Sequence, residues 1–345
     1  MNCDNSNDLI CETEGGIGLA ILNRPSVLNV IDLNLIDALY RQLQIWERDP
    51  AIWAVVVRGA GKRAFCAGGD VKAVWAHRGD DAFMDAVYRR EYVLDDYINR
   101  YPKPYVALMS GIVMGGGCGI SVHGRHRVVT DTTVLAMPEC KIGLFPDIAG
   151  SHFLARCPGH FGLYLGLTGA KVGGADAVRL GLADHYVPAA RLDELIAGLR
   201  TTSSVEEVVS SVQTDLPPSQ LPASAAVSAA FGLPSVSQII QTLKGEPADW
   251  AGDALRAMET ACPFSLQLTF RAVREAGNKS MRECLITDFR IAQRIMRKDD
   301  YFEGVRALII DKDNAPRWDQ ARLADVQTED IDACFAPLDN DLTFA

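Results

Sequence analysis

The sequence contains no CxxC pair, no run of Lys and Arg, and no apolar stretch approaching eighteen residues. Each absence removes a class of protein. Nine scattered cysteines do not make a disulfide framework; Cys66, Cys118 and Cys140 lie in or beside apolar or Gly-rich segments, the setting of reduced, partly buried thiols. Without an apolar run of spanning length, no segment is expected to cross a bilayer. Positive charge is in deficit, with 34 Lys and Arg against 44 Asp and Glu, a net charge of −10. Nucleic acid and anionic membranes are therefore poor partners. A small polyanion needs only a local patch, and Lys62, Arg63 and Lys72 offer one. The opening residues, MNCDNSNDLICETEGG, show neither a basic apolar signal nor an Arg-rich amphipathic segment, so the expected compartment is the cytoplasm.

What is present reads as a layered α/β protein. The 345 residues, 48% hydrophobic, suffice for one large domain or two smaller ones. Residues 8–22 predict a hairpin: LICETE, a Gly15–Gly16 turn, then IGLAIL. Asp32 can cap a helix over LNLIDALYRQLQIWE. WAVVVRG (53–59) and PYVALMSG (104–111) read as buried strands, and RVVT and TVLAMP as shorter ones. Strands and helices alternate to about residue 190. The boundaries drawn from this pattern are a core over 8–190 and a mostly helical region over 191–345. Within the latter, a Ser/Pro/Ala-rich stretch near 201–230 predicts short helices, loops or a mobile linker, and 282–297 predicts an amphipathic helix.

The chemistry concentrates in residues 111–147. A strand runs into Gly115, Gly116 and Gly117, which expose bare backbone where a helix is about to start. The first N–H groups of a helix lack internal partners, and glycine lets another molecule approach them. Such a turn can stabilise an oxyanion in acyl transfer. A second Gly-rich loop, CAGGD (66–70), also follows a strand, and two carboxylates, Glu139 and Asp147, lie downstream in AMPE and FPD. On the helix FMDAVYRREYVLDDYINRY, Met84, Val87, Glu91, Leu94 and Ile98 share one face. A carboxylate in an apolar stripe is paired with a nearby Arg, lies at a stripe edge open to water, or points into a ligand cleft.

Other motifs fail on inspection. The glycines at 115–119 do not fit G-x-G-x-x-G, and no G-K-[ST] follows. Gly119–His123 resembles a nucleophile elbow but has His in place of the last Gly and lies inside the helix, so Ser121 reads as structural. His123 and His126 lack a third ligand at suitable spacing, and no metal is expected.

AFCAGGDVKAV, YVALMSGIVMGGGCG and AMPECKIGLFPD resemble the crotonase (enoyl-CoA hydratase/isomerase) superfamily, and within it the 3-hydroxyisobutyryl-CoA hydrolase subgroup. LNRP (22–25), LTGAKVGGADAVRLGLADHYV (167–187) and FEGVRALIIDKDNAPRW (302–318) extend the resemblance over most of the chain. It implies a crotonase-like spiral of ββα units with a helical C-terminal region, acting on an acyl-CoA. CoA would be part of the substrate, with no separate cofactor. The implied oxyanion donors are the N–H groups of Gly69 and Gly116. CoA would lie along Ala67, Gly68 and Asp70, and the matching acidic residues are Glu91, Glu139 and Asp147. A homo-oligomer, trimer or dimer, and a place in valine breakdown are further implications.

Departures from the hydratase pattern point to hydrolysis. Hydratases carry Glu two positions after the glycine triplet, where this chain has Gly119; Asp147 stands where they usually have a Pro-Gly turn. Hydrating a double bond takes a base for water and an acid for the α-carbon. With Gly119, only Glu139 remains of that pair. Expelling a thiolate is easier: a thiol pKa of about 8.5 makes a strong general acid unnecessary. Glu139 would attack the thioester or activate water, with Asp147 orienting a reacting group and Glu91 contacting the acyl end.

Overall fold

The structure, a computed structural model, describes residues 7–344. They fall into two compact units, each discontinuous in sequence. One comprises the chain through Gly69, Arg90–Leu135 and Val172–Gln220; the other comprises Asp70–Arg89, Ala136–Lys171 and the chain from Leu221.

The first unit is built on a six-stranded sheet. Strands β1 (Leu9–Glu14) and β2 (Ile17–Leu22) form the expected hairpin, with Leu9 opposite Leu22. Gly15 and Gly16 turn it at φ of 60° and 79°, a region glycine reaches without penalty. The remaining strands of this sheet, β3 (Ala54–Gly59), β5 (Tyr105–Met109), β7 (His126–Val129) and β10 (His185–Tyr186), join in parallel, in the order β1-β2-β3-β5-β7-β10. Helix α1 (Leu33–Arg48) starts where the Asp32 carboxylate accepts the Leu35 N–H at 2.9 Å. It buries Leu35, Leu39, Leu43 and Trp46 along one face.

A second, four-stranded sheet has the order β4-β6-β8-β9, from β4 (Ala64–Cys66), β6 (Ile112–Met114), β8 (Val134–Ala136) and β9 (Val172–Gly173). Its strands hold two or three residues, too short for an alternating pattern to stand out. Successive strands visit the two sheets in turn and then leave as a helix. β3 and β4 lead into α2 (Val71–Ala76), and after α3 (Asp81–Asn99) β5 and β6 lead into α4 (Gly116–Val122). β7 and β8 then lead into a 3-10 turn at Glu139–Ile142. This is the ββα repetition that the resemblance implied.

Val56, Val106 and Val128 on one face of the large sheet pack with Leu195 and Leu199 and with Val205, Val208, Val209 and Val212. Each such buried side chain contributes about 1.5–3 kcal/mol. The Ser/Pro/Ala-rich stretch therefore supplies core over Val205–Val212 and is not a linker there.

The second unit is mostly helical. Its helix Met281–Ile295 opens with a capping box, Ser280 and Glu283 each hydrogen-bonding the other's backbone, and buries Leu285, Asp288, Phe289, Ala292 and Ile295. A five-residue helix, α5 (Gly150–Leu154), follows the FPD segment.

Candidate active site

In the first unit, the two Gly-rich loops bring two amides together. Gly68 (φ 114°) and Gly115 (φ 48°, ψ −126°) adopt conformations that L side chains rarely reach. Gly116 is the first residue of α4, so its N–H has no acceptor inside the helix. A Cβ on Gly116 would sit 3.3 Å from the Gly69 nitrogen, and a Cβ on Gly68 would sit 3.7 Å from the Gly116 nitrogen. One added to Gly69 would meet nothing within 4 Å. Two adjoining amides beside open space are what a developing oxyanion needs.

Glu91 reaches the same place. It is only 5% exposed, and its Oε1 lies against the position a Gly116 Cβ would take. This places the Glu91 carboxylate beside the glycine triplet. Ala67 donates its N–H to the Leu28 carbonyl at 3.0 Å, and Asp70 caps α2 by accepting the Ala73 N–H at 3.1 Å. Cys66 is no competing nucleophile. Burial, above all, pushes its thiol up to about 12, with the Glu91 charge adding to the effect. The Ser121 hydroxyl is committed to the Gly117 carbonyl at 2.6 Å. Among the described residues, no group of three or more His, Cys, Asp and Glu side chains could hold a metal ion.

Gly119 is closely overlain. A Cβ there would lie 2.8 Å from Oδ1 of Asp95, a fully buried residue on α3. That carboxylate faces the interior: beyond the effect of burial, its charge raises the pKa of Tyr105, itself fully buried with its hydroxyl donated to the Ile120 carbonyl at 2.8 Å. Position 119 thus lacks a carboxylate, and a side chain there would have to displace that of Asp95.

In the second unit, Glu139 opens the 3-10 turn after β8 and is 5% exposed. Its Oε2 is buried with no hydrogen-bond partner among the described residues. Leaving a carboxylate oxygen so is costly, and such orphans mark strained or reacting groups. Burial and, next, the negative charge of Asp147 hold the Glu139 carboxyl well above the usual range. Asp147, 6% exposed, begins a tight turn in which the Gly150 N–H donates to its carbonyl at 2.6 Å. Two residues the sequence reading missed adjoin it. Asp288, on the helix Met281–Ile295, is raised first by burial and then by Asp147; Tyr301, fully buried, is raised the same way. Asp288 interrupts the apolar stripe of its helix as Glu91 does on α3, and that interruption could have singled it out.

A family model described as enoyl-CoA hydratase/isomerase matches residues 17–335. The chain belongs to that family. A chicken (Gallus gallus) protein named 3-hydroxyisobutyryl-CoA hydrolase, mitochondrial, is 40% identical over 349 residues, covering 98% of this chain and 91% of its own. The human protein of that name is 37% identical, covering 99% and 92%. A solved structure described as a carnitinyl-CoA dehydratase from Mycobacterium thermoresistibile superposes with a TM-score of 0.94 at 39% identity, covering 98% of this chain and 99% of that one. One described as an enoyl-CoA hydratase from Rhodobacter sphaeroides 2.4.1 gives 0.89 at 36% identity, covering 98% and 100%. The crotonase fold expected from the motifs is the fold of this family. Among the described residues no helix is long and apolar enough to cross a membrane.

Proposed function

We propose that this family member hydrolyses the thioester of a short hydroxyacyl-CoA, 3-hydroxyisobutyryl-CoA foremost, to the free acid and CoA. The observation that carries the choice is Gly119, whose side-chain space the Asp95 carboxylate overlies. The hydratase alternative, favoured by the descriptions of the two solved structures, needs a second acid for the α-carbon. Hydrolysis needs only the amides of Gly69 and Gly116 for the oxyanion and an ionised Glu139, as nucleophile or as base for water. Each amide contributes about 3 kcal/mol to the lowering of the barrier. Asp147 orients a reacting group, Glu91 contacts the acyl end, and Ala67, Gly68 and Asp70 lie along the CoA. No cofactor takes part, because CoA is carried by the substrate.

The named relatives favour this substrate, and with it a place in valine breakdown. Their names place them in mitochondria, whereas composition pointed to the cytoplasm; fractionation of host cells decides the compartment. A homo-oligomer, dimer or trimer, belongs to the proposal on family grounds alone.

A panel of acyl-CoA thioesters assayed with a thiol reagent tests the acyl group. The 3-hydroxyisobutyryl thioester is expected to give the highest kcat/KM, and Glu91→Ala to lose more on it than on plain isobutyryl-CoA. A variant that is less stable but equally slowed on both substrates would return Glu91 to a structural role.

The acid cluster sets the pH dependence. Glu139 must be ionised to react, and its pKa is raised, so activity falls on the acid side at a pH above the ordinary carboxylate value of 4.5. Asp147→Asn removes one cause of that rise and is expected to move the acid limb of kcat/KM downward while lowering its plateau. A limb at or below pH 4.5 in the wild type would contradict the assignment.

A further inference from the structure

The turn that carries Asp147 is held from a distance. Ile148 and Ala149 have φ of 55° and 54°, two successive non-glycine residues in the left-handed region. Each costs about 1–2 kcal/mol there, and the β-branched Ile148 is especially ill suited. A segment of this kind persists only where its surroundings impose it. One contact that holds it is made by Asp288, 139 residues beyond Ala149, whose Oδ2 accepts the Ala149 N–H at 2.7 Å. Its other carboxyl oxygen, Oδ1, is buried with no hydrogen-bond partner among the described residues, and the residue has no exposure. A buried carboxyl that satisfies only one of its oxygens, beside another acid, is an expensive way to hold a loop. An apolar side chain or a serine would cost less if filling space were the only task.

We propose that Asp288 is a positioning residue for the reaction, fixing the left-handed turn at Ile148–Ala149 so that the Asp147 carboxylate is held in one orientation. The inference rests on the reading that Asp147 serves thioester hydrolysis. Asp288 acts as a hydrogen-bond acceptor and not through its charge. Burial and the neighbouring Asp147 favour its neutral form. Asparagine, which keeps a carbonyl oxygen at the same reach, should therefore replace it, and alanine should not.

The test is steady-state thiol release from 3-hydroxyisobutyryl-CoA by the full-length protein, comparing D288A, D288N and D147N, with thermal unfolding of each. D288A is expected to lose about tenfold or more in kcat with KM within about threefold, and D288N to stay within about threefold of wild type in both. A purely structural role would instead lower the unfolding temperature of D288A while leaving kcat per folded molecule intact, and that result overturns the inference. D288N as impaired as D288A would also overturn it, because charge and not the turn would then matter. Should D288A fail to fold, D288A/A149G removes the conformational penalty at 149 and restores the fold. A kcat that stays low in that variant supports the inference, and one that returns to wild type refutes it. D147N with normal kcat would refute the reading of Asp147 and this inference together, whereas an impaired D147N beside a normal D288A refutes this inference alone.

Discussion

Glu139→Gln is expected to lower kcat by at least about 100-fold, roughly 2.7 kcal/mol of barrier, while KM changes little. Glutamine matches the shape of glutamate and can still occupy its site, but it cannot be ionised to attack the thioester or take a proton from water. An interaction needed only in the transition state is lost in this way, in kcat and not in binding. The same substitution should raise the unfolding temperature at pH 8. Glu139 has a folded-state pKa raised by burial and by Asp147, so the stability linked to its neutral form is lost as pH rises through that pKa. Glutamine carries no such loss, and its advantage should vanish near pH 4. A variant that is more stable and inactive at high pH would mark a group held in place for chemistry at the expense of the fold. Kinetics and thermal unfolding at the two pH values check both halves; retention of more than about a tenth of kcat refutes the role.

The second large effect is expected at the glycine triplet, where neighbouring positions should fail differently. In Gly116→Ala the new methyl would press on Glu91 Oε1, 3.0 Å from Ile31 Cδ1 and 3.3 Å from the Gly69 nitrogen. Glu91 Oε1 is the end of a flexible side chain and can move aside, so the fold survives. The methyl then crowds the amides that receive the oxyanion, and kcat/KM should fall by about 100-fold, the worth of one such donor. In Gly117→Ala the methyl would strike the backbone carbonyl of Cys66, which cannot yield. That variant should lose solubility or unfolding temperature before it loses chemistry. Circular dichroism and kinetics on the pair separate the two; equal stability and equal activity in both would remove the glycines from the reaction.

Much of this was legible before the structure, and the reasons differ by element. The hairpin announced itself by the Gly15–Gly16 turn, α1 by its Asp32 cap, and α3 by a stripe in which Met84, Leu94 and Ile98 prove buried with Glu91. Local signals sufficed there because one turn or one helical period carries them. Of the second sheet, β4 stayed hidden because its three residues read as part of the Gly-rich loop after WAVVVRG, whereas β6 is the strand expected before the glycine triplet and β8 lies within TVLAMP. Val205–Val212 is one of the short helices expected of the Ser/Pro/Ala-rich stretch; the linker alternative arose because Ser and Glu occupy its outer face, although its valines recur at helical spacing. The motifs singled out Gly69 and Gly116 in the first unit, and Glu139 and Asp147 in the second. Asp288 and Tyr301 were missed because only tertiary packing brings residues so distant in sequence to Asp147. The overlay of Gly119 by Asp95 likewise needs two helices at once, α3 and α4.

The central claim is that this family member breaks the thioester and does not hydrate an alkene. The most direct measurement follows free thiol from 3-hydroxyisobutyryl-CoA and, separately, the conjugated enoyl absorbance of crotonyl-CoA. Stoichiometric CoA release from the first and negligible absorbance loss with the second are the predicted results. Rapid loss of enoyl absorbance without thiol release would contradict the account, and would mean that Asp147 or Glu91 supplies the acid that position 119 lacks.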